Sequence, residues 1–299
     1  MCDNKNMGKL RQYINDYLEH LEIEKGRAVK TIDNYRRYLE RFARLSKAAA
    51  PKDITENTVR AFRLFLNREG VSKKTQNYYL IALRGFLSYL AKHNIESLPA
   101  QLIELARIAE KELDLITPDE LNRLLLAADG KSLRALRDSA ILELLFSTGM
   151  RVSELCGLDR DKINIRQDEI SIKGKGGKIR VVFVSEKAKN AVKKYLNERT
   201  DIDPALFVRT RNIKTGGPLR LTPRSVQRII KYYAGRAGVA KKLTPHVLRH
   251  MFATDLLSAG ADIRSVQTLL GHASISTTQV YSKLANDQLR HEYDRAHPR

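Results

Sequence analysis

The chain contains no tryptophan, and it has only two cysteines among 299 residues. These two, Cys2 and Cys156, cannot build a disulfide framework, and their spacing fits no metal site. Cys156 lies in an apolar stretch that is typical of a buried thiol. No apolar run approaches membrane-spanning length, and the polar N-terminus has no signal-peptide core. We therefore expect a protein of the reducing cytoplasm that does not insert into a membrane.

Acidic residues are also scarce, with 34 Asp and Glu against 54 Lys and Arg, which leaves a net charge of +20. The excess is present in both halves of the chain: residues 1–112 carry +7 and residues 113–299 carry +13. Such a surplus favours a polyanionic partner, because basic surfaces release counterions from phosphates on binding. Charge alone leaves a generally basic protein without such a partner as the alternative.

Two common cofactor signatures are missing. There is no carboxylate cluster suited to Mg²⁺, and no Gly-x4-Gly-Lys-Ser/Thr loop that would cradle a nucleotide. We accordingly expect neither a metal nor another cofactor.

Residues 1–97 show apolar side chains at helical spacing, in four stretches with short breaks. Gly70 ends the third stretch and Ser72 can cap the fourth. We predict a small helical bundle with its aromatic residues mainly in the core. Basic residues lie between the apolar stripes and form a candidate phosphate-contacting face: Arg36, Arg37, Arg41, Lys73 and Lys74.

Residues 98–114 are predicted to join this bundle to a second domain, residues 115–299. Thr-Pro pairs at Thr117, Thr222 and Thr244 mark three helix starts there, because threonine caps a helix and proline suits its first position. Between 163 and 184 the pattern changes to short strands, with a Gly-Lys-Gly-Gly-Lys hairpin at 174–178. The predicted fold is mainly α with a small antiparallel sheet (α+β).

Three clusters in the second domain carry candidate chemistry. Gly149 precedes Arg151 at the start of a helix, and Glu154 lies three residues on, where it can brace that arginine. His246 and Arg249 lie one turn apart on one face of the helix that Thr244 begins. Each pair taken alone is commonly ordinary surface or core structure.

The third cluster begins where Gly271 ends a helix, at Leu-Gly-His, and a short helix then presents a tyrosine. With these residues in this order, the chain resembles the tyrosine recombinase and integrase family, and within it the Xer-type recombinases. The resemblance covers essentially the whole chain and implies a helical DNA core-binding domain (1–97), a linker (98–114) and a catalytic domain ending in a helix (115–299). The family's catalytic set falls on Arg151, Lys175, His246, Arg249, His272 and Tyr281.

The chemistry of these residue types is consistent with that resemblance. Tyr281 would attack a DNA phosphate. Because tyrosine has an ordinary pKa of about 10, it needs help to lose its proton at neutral pH, and His246 would act as the general base. Arg151 and Arg249 would neutralise the charge that grows on the phosphate oxygens. His272 would donate a further hydrogen bond, and Lys175 would protonate the leaving 5′-oxygen.

The resemblance further implies double-stranded DNA with a short inverted-repeat site and a homotetramer on two such sites, or a tetramer with a related recombinase. The first helix begins near residue 9, which favours a simple short-site recombinase. A Holliday-junction intermediate, a terminal helix at 286–297 that docks on a neighbour and a DNA translocase activator are also implied. Chromosome or plasmid dimer resolution and mobile-element integration all fit. The rivals are a type IB topoisomerase, a non-catalytic DNA-binding protein and a metal-dependent nuclease.

Overall fold

The computed structural model describes residues 7–108, 115–163, 169–174, 179–210 and 219–271. The chain divides into two compact units, which we call the helical unit (Met1–Glu112) and the C-terminal unit (Leu113–Arg299). Each unit has a hydrophobic core of its own. The predicted strand at 164–165 and the predicted terminal helix at 286–297 lie outside the described residues.

The helical unit contains four α-helices among its described residues. They are α1 (Met7–Ile23), α2 (Val29–Ser46), α3 (Glu56–Arg68) and α4 (Lys73–Lys92). The predicted capping is confirmed: the Ser72 side chain accepts from the backbone of Thr75, and Gly70 adopts φ +69° after α3. Aromatic side chains fill much of the core, where Phe62 packs edge-on against Phe42.

Residues 98–108, which the sequence suggested as part of a linker, pack on the helical unit. A short 3₁₀ turn, Ala100–Leu102, leads into Ile103, which is buried in the bundle core. The Asn77 side chain pairs with Ala106, donating to its carbonyl at 2.8 Å and accepting from its amide at 3.0 Å. This two-point contact fixes the segment against α4.

The described part of the C-terminal unit is mainly helical. Its helices are α5 (Pro118–Leu126), α6 (Leu133–Thr148), α7 (Val152–Gly157), α8 (Glu186–Asn197), α9 (Pro223–Arg236), α10 (Pro245–Ser258) and α11 (Ile263–Leu270). All three predicted Thr-Pro starts are confirmed, since Thr117, Thr222 and Thr244 each cap a helix. Among the helices described in either unit, none is both long and apolar enough to cross a bilayer.

The small sheet is a two-stranded antiparallel ladder of β1 (Glu169–Lys173) and β2 (Ile179–Phe183). Ile170 pairs with Val182, and Ile172 pairs with Arg180. One face of the ladder thus carries buried Ile170, Ile172 and Val182 toward the core. The predicted α+β class and the antiparallel pairing of these two strands are confirmed, whereas residues 175–178 of the predicted hairpin lie outside the described residues.

Candidate active site

Arg151 lies at the junction of α6 and α7. Gly149 ends α6 in the left-handed conformation, with φ +56°, and Arg151 then occupies the N-cap of α7. Its backbone amide donates to Glu154 Oε2 at 2.7 Å, and its Nη1 donates to Glu154 Oε1 at 3.0 Å. The predicted brace is therefore present, and it holds both the main chain and the side chain of Arg151.

Glu154 is buried, with only 5% of its side chain exposed, and it accepts four hydrogen bonds. Two come from Arg151, and two come from the guanidinium of Arg180 at 2.9 and 2.7 Å. Burial by itself would raise the pKa of Glu154, but the bonds from Arg180 and Arg151 outweigh it and hold the pKa below its ordinary value. Glu154 is therefore a carboxylate at neutral pH.

Arg180 was not identified from the sequence. It lies on β2, two residues before the buried Val182, so both side chains point to the inner face of the ladder. Besides Glu154, its guanidinium contacts the end of α11, where Nε donates to the Leu269 carbonyl at 2.9 Å. The available signal was the strand alternation, which places an arginine where an apolar residue is expected.

Arg249 lies on α10 and is buried. Only 4% of this residue is exposed, and its guanidinium bridges two chain turns: Nη1 donates to the Gly149 carbonyl and Nη2 to the Leu270 carbonyl, both at 2.5 Å. Thr244 caps α10 by accepting from the amide of Val247, which sets His246 and Arg249 on neighbouring turns of that helix. The predicted side-by-side placement of these two residues is thus present.

The C-terminal end of α11 gathers the arginines. Three successive carbonyls accept from three different guanidinium groups: Leu269 from Arg180, Leu270 from Arg249, and Gly271 from Arg151 at 3.1 Å. The last carbonyls of a helix have no partner inside the helix and carry partial negative charge, so cations suit this position. With Glu154 included, three cations and one carboxylate leave a cluster with a net charge of +2.

His246 belongs to the same electrostatic environment. Its pKa is lowered, first because its surroundings desolvate the charged form, and then because Arg249 and Arg151 repel a proton on the ring. A neutral imidazole can accept a proton, as a general base must. His250, one turn on, has its pKa lowered to about 4, mainly by burial.

The structure thus brings together four of the predicted site residues: Arg151, Glu154, His246 and Arg249. The other three, Lys175, His272 and Tyr281, lie outside the described residues. Among the described side chains, no group of three His, Cys, Asp or Glu residues is arranged to hold a metal ion.

A second candidate site lies in the helical unit. A cleft of about 710 Å³ is lined by four arginines together with one acid and three apolar or aromatic residues: Arg11, Arg37, Glu40, Arg41, Arg44, Leu45, Phe65 and Tyr79. Arg41 is held in place there, since its Nη1 donates to the Tyr79 hydroxyl at 2.9 Å and its guanidinium lies over the rings of Tyr79 and Phe65. Arg36, predicted to share this face, instead donates to Asn15 at 2.7 Å.

Comparison with known families bears on both units. The profile of the phage integrase family matches residues 114–288, and that of the phage integrase N-terminal SAM-like domain matches residues 14–94. The chain belongs to the phage integrase family. The family membership predicted from the residues is confirmed, and this integrase-family protein is an enzyme that cleaves and rejoins DNA.

Individual relatives carry recombinase names. The integrase-family chain is 38% identical to tyrosine recombinase XerC of Thermodesulfovibrio yellowstonii, over 96% of each chain. It is 35% identical to tyrosine recombinase XerD of Oceanobacillus iheyensis, over 97% of this chain and 99% of the relative. Among solved structures, XerH recombinase bound to its palindromic difH substrate after cleavage matches with a TM-score of 0.70 and 25% identity, over 88% of this chain and 79% of that one.

Proposed function

We propose that this chain is an Xer-like site-specific recombinase that acts on double-stranded DNA through a tyrosyl intermediate. The observation that carries the proposal is the convergence of Arg151 and Arg249 on the end of α11, on the same electrostatic site as a histidine with a lowered pKa. Two anchored guanidiniums beside a neutral imidazole suit attack on a phosphodiester, where negative charge develops while a proton is removed.

The proposed reaction has two steps, strand cleavage and strand rejoining, and in each step one bond to phosphorus forms and one breaks. Tyr281 Oη attacks the scissile phosphorus while His246 takes up the phenolic proton. The bond from phosphorus to the 5′-oxygen then breaks, and Lys175 gives that oxygen a proton. The product is a 3′-phosphotyrosyl linkage, and a second 5′-hydroxyl reverses the same steps to rejoin strands.

Arg151 and Arg249 would neutralise the charge on the two non-bridging oxygens, and His272 would add a hydrogen bond. Glu154 supports this arrangement because it fixes the orientation of Arg151. The +2 charge of the arginine cluster is consistent with a phosphoryl group that becomes more negative in the transition state.

The two units would have different roles on DNA, one in binding and one in cleavage. The helical unit, with its arginine-lined cleft, would grip the duplex, and the catalytic domain (115–299) would cut it. Homotetramers on two short inverted-repeat sites, or tetramers with a related recombinase, would exchange strands through a Holliday junction in the cytoplasm. This strand exchange would serve either to resolve chromosome or plasmid dimers, with a DNA translocase as activator, or to integrate a mobile element.

A suicide-substrate assay tests the proposal. The wild-type chain and Tyr281→Phe would each be incubated, in EDTA, with short nicked duplexes that carry a randomised core. We expect a protease-sensitive DNA adduct on a denaturing gel for the wild type and none for Tyr281→Phe. DNA binding without any adduct would contradict the catalytic assignment, whereas cleavage to free ends in a parallel reaction with Mg²⁺ in place of EDTA would indicate a metal-dependent nuclease. In a second reaction on a supercoiled plasmid with two copies of the trapped site, relaxed circles without recombinants would indicate a topoisomerase.

A further inference from the structure

We propose that Arg180 is a positioning residue for DNA cleavage, which acts by locking the Glu154–Arg151 pair against the end of α11. The proposal rests on the function proposed above. All three nitrogens of the Arg180 guanidinium donate to protein acceptors: two to the carboxylate of Glu154 and one to the Leu269 carbonyl. Because both Nη groups of Arg180 pair with the Glu154 carboxylate, which neutralises their charge, we assign Arg180 to holding Glu154 rather than to contact with the phosphate.

Arg180 joins three chain segments that are distant in sequence. It comes from β2, and it contacts the start of α7 through Glu154 and the end of α11 through Leu269. It also packs on Gly271, where a Cβ atom would lie 3.0 Å from Arg180 Cδ at a backbone φ of +63°. A side chain at position 271 would therefore crowd the Arg180 stem, and the left-handed backbone there also favours glycine.

The shared carboxylate transmits this fixation to Arg151. Glu154 Oε1 accepts from Nη1 of both arginines, and Oε2 accepts from Arg180 Nη2 and from the Arg151 amide. A carboxylate has about four acceptor positions, so Glu154 is saturated and has one orientation in which all four bonds form. Without Arg180, two of these positions would be empty in a buried site, and only the two bonds from Arg151 would hold the Glu154 carboxylate.

A lysine cannot replace Arg180 in this role. Its ammonium would keep the charge, but it is a point donor without the planar fork that matches a carboxylate on one side and a carbonyl on the other. Arg180→Lys is therefore the informative variant, because it separates geometry from charge. Since a displacement of catalytic groups by about 1 Å can cost about 100-fold in rate, we expect a loss of that order in the cleavage step.

The matched control is Arg199. Its side chain is also largely buried, at 2% exposed against 11% for Arg180; it pairs with the carboxylate of Asp201 and donates to the carbonyls of Ala205 and Leu206 at 2.6 and 2.9 Å. These contacts lie at the end of α8 and include none of the arginine-cluster residues. Arg199→Lys thus breaks the same kind of bridge elsewhere in the C-terminal unit.

The experiment compares two suicide substrates in single-turnover cleavage by the full-length chain. One carries an ordinary scissile phosphate, and the other carries a neutral methylphosphonate at that position. A neutral group needs less help from placed cations, so a positioning defect should matter less there. For Arg180→Lys we expect about 100-fold slower cleavage of the phosphate and a much smaller loss on the methylphosphonate. Any loss in Arg199→Lys should be equal on the two substrates.

Equal losses on both substrates for Arg180→Lys would overturn the inference and reduce Arg180 to a structural residue. If Arg180→Lys does not fold, Glu154→Gln, which retains Arg180 but weakens its anchor, should show the same substrate dependence. If it folds, adding it to Glu154→Gln should cause little extra loss, whereas multiplied losses would contradict a shared action. A wild type that forms no adduct on either substrate would overturn the proposed function itself, whereas wild-type adducts with unimpaired Arg180→Lys would overturn only this inference.

Discussion

Arg249 Nη1 donates a hydrogen bond to the carbonyl oxygen of Gly149, which precedes it by 100 positions in the chain. The bond ties α10 to the turn that leads into Arg151. The left-handed backbone of Gly149 thus points its carbonyl oxygen at Arg249, and it turns the chain so that Arg151 begins α7.

Gly149→Ala should destabilise the C-terminal unit and slow DNA cleavage. A left-handed backbone at a residue other than glycine costs about 1–3 kcal/mol, and the new methyl would also collide with the ring of Phe252. Gly235→Ala is the control, because Gly235 lies in α9 with open space around it and should gain about 0.5–1 kcal/mol from helix propensity. Thermal unfolding of both variants checks this, and equal stabilities would refute it.

His246 should set the acid limb of the pH–rate profile. Because its pKa is lowered, the imidazole stays neutral until the pH falls below the ordinary histidine value of about 6.5. Wild-type cleavage should therefore hold constant from neutral pH past that value and decline only in more acidic buffer.

His246→Gln should cleave on the order of 10²–10⁴-fold more slowly and lose this acid limb. His20→Gln, in the helical unit, should keep it. Single-turnover rates across a pH series give the measurement. An acid limb that persists in His246→Gln would assign the general base to another group.

Glu154→Ala should destabilise the C-terminal unit by about 3 kcal/mol, because it leaves the largely buried Arg180 without its counter-ion, whereas the partly exposed Arg151 loses less. Glu186, whose side chain is 77% exposed beside Lys189, is the control, and Glu186→Ala should cost less than about 1 kcal/mol. Calorimetry of the two variants at neutral pH provides the comparison.

The Glu154 contribution should also depend on pH. Its folded-state pKa is depressed, so the stabilisation is fully present above the unfolded value of about 4.3 and is lost as pH falls through the lower folded value. The gap in melting temperature between wild type and Glu154→Ala should accordingly narrow in acid. If the difference in melting temperature stays constant down to a pH below the folded-state pKa of Glu154, the charge of Glu154 contributes little to stability.

The arginine cleft of the helical unit should contribute to DNA affinity in a salt-dependent way. Each phosphate contact that is lost should reduce the slope of log K against log salt by about 0.9. We expect such a reduction for Arg37→Ala, measured by titration of duplex DNA over a salt series. Glu40→Gln, which neutralises the one acid among the described residues that line this cleft, should not weaken binding. An unchanged slope for Arg37→Ala would exclude this cleft from the DNA contact.

Local chemistry explains why several elements were predictable. A threonine followed by proline begins a helix through hydrogen bonds to residues three positions away, so Thr117, Thr222 and Thr244 needed no tertiary context. The Arg151–Glu154 brace has the same short range. The family, too, could be predicted from the order and spacing of a few arginine, histidine and tyrosine residues, because these residue types suit attack on a DNA phosphate.

Other features depended on packing. Phe65 was expected in the core with the other aromatic residues, yet it is 36% exposed and lines the arginine cleft. Arg36 and Arg37 are adjacent in sequence, but only Arg37 lines that cleft, because Arg36 is paired with Asn15 on α1. Helical periodicity identifies a polar face, but it does not identify which polar residues have neighbours.

The sequence by itself determined the helix starts, the two short strands, the α+β class and the family, since each depends on residues close in the chain or on the order and spacing of a few residue types. Only the tertiary structure decided that Arg180 saturates Glu154 and that three arginines divide the last carbonyls of α11 among them. These contacts join β2, α7, α10 and α11, so they exist only when the strand register and the helix packing have placed distant backbone groups within hydrogen-bonding distance.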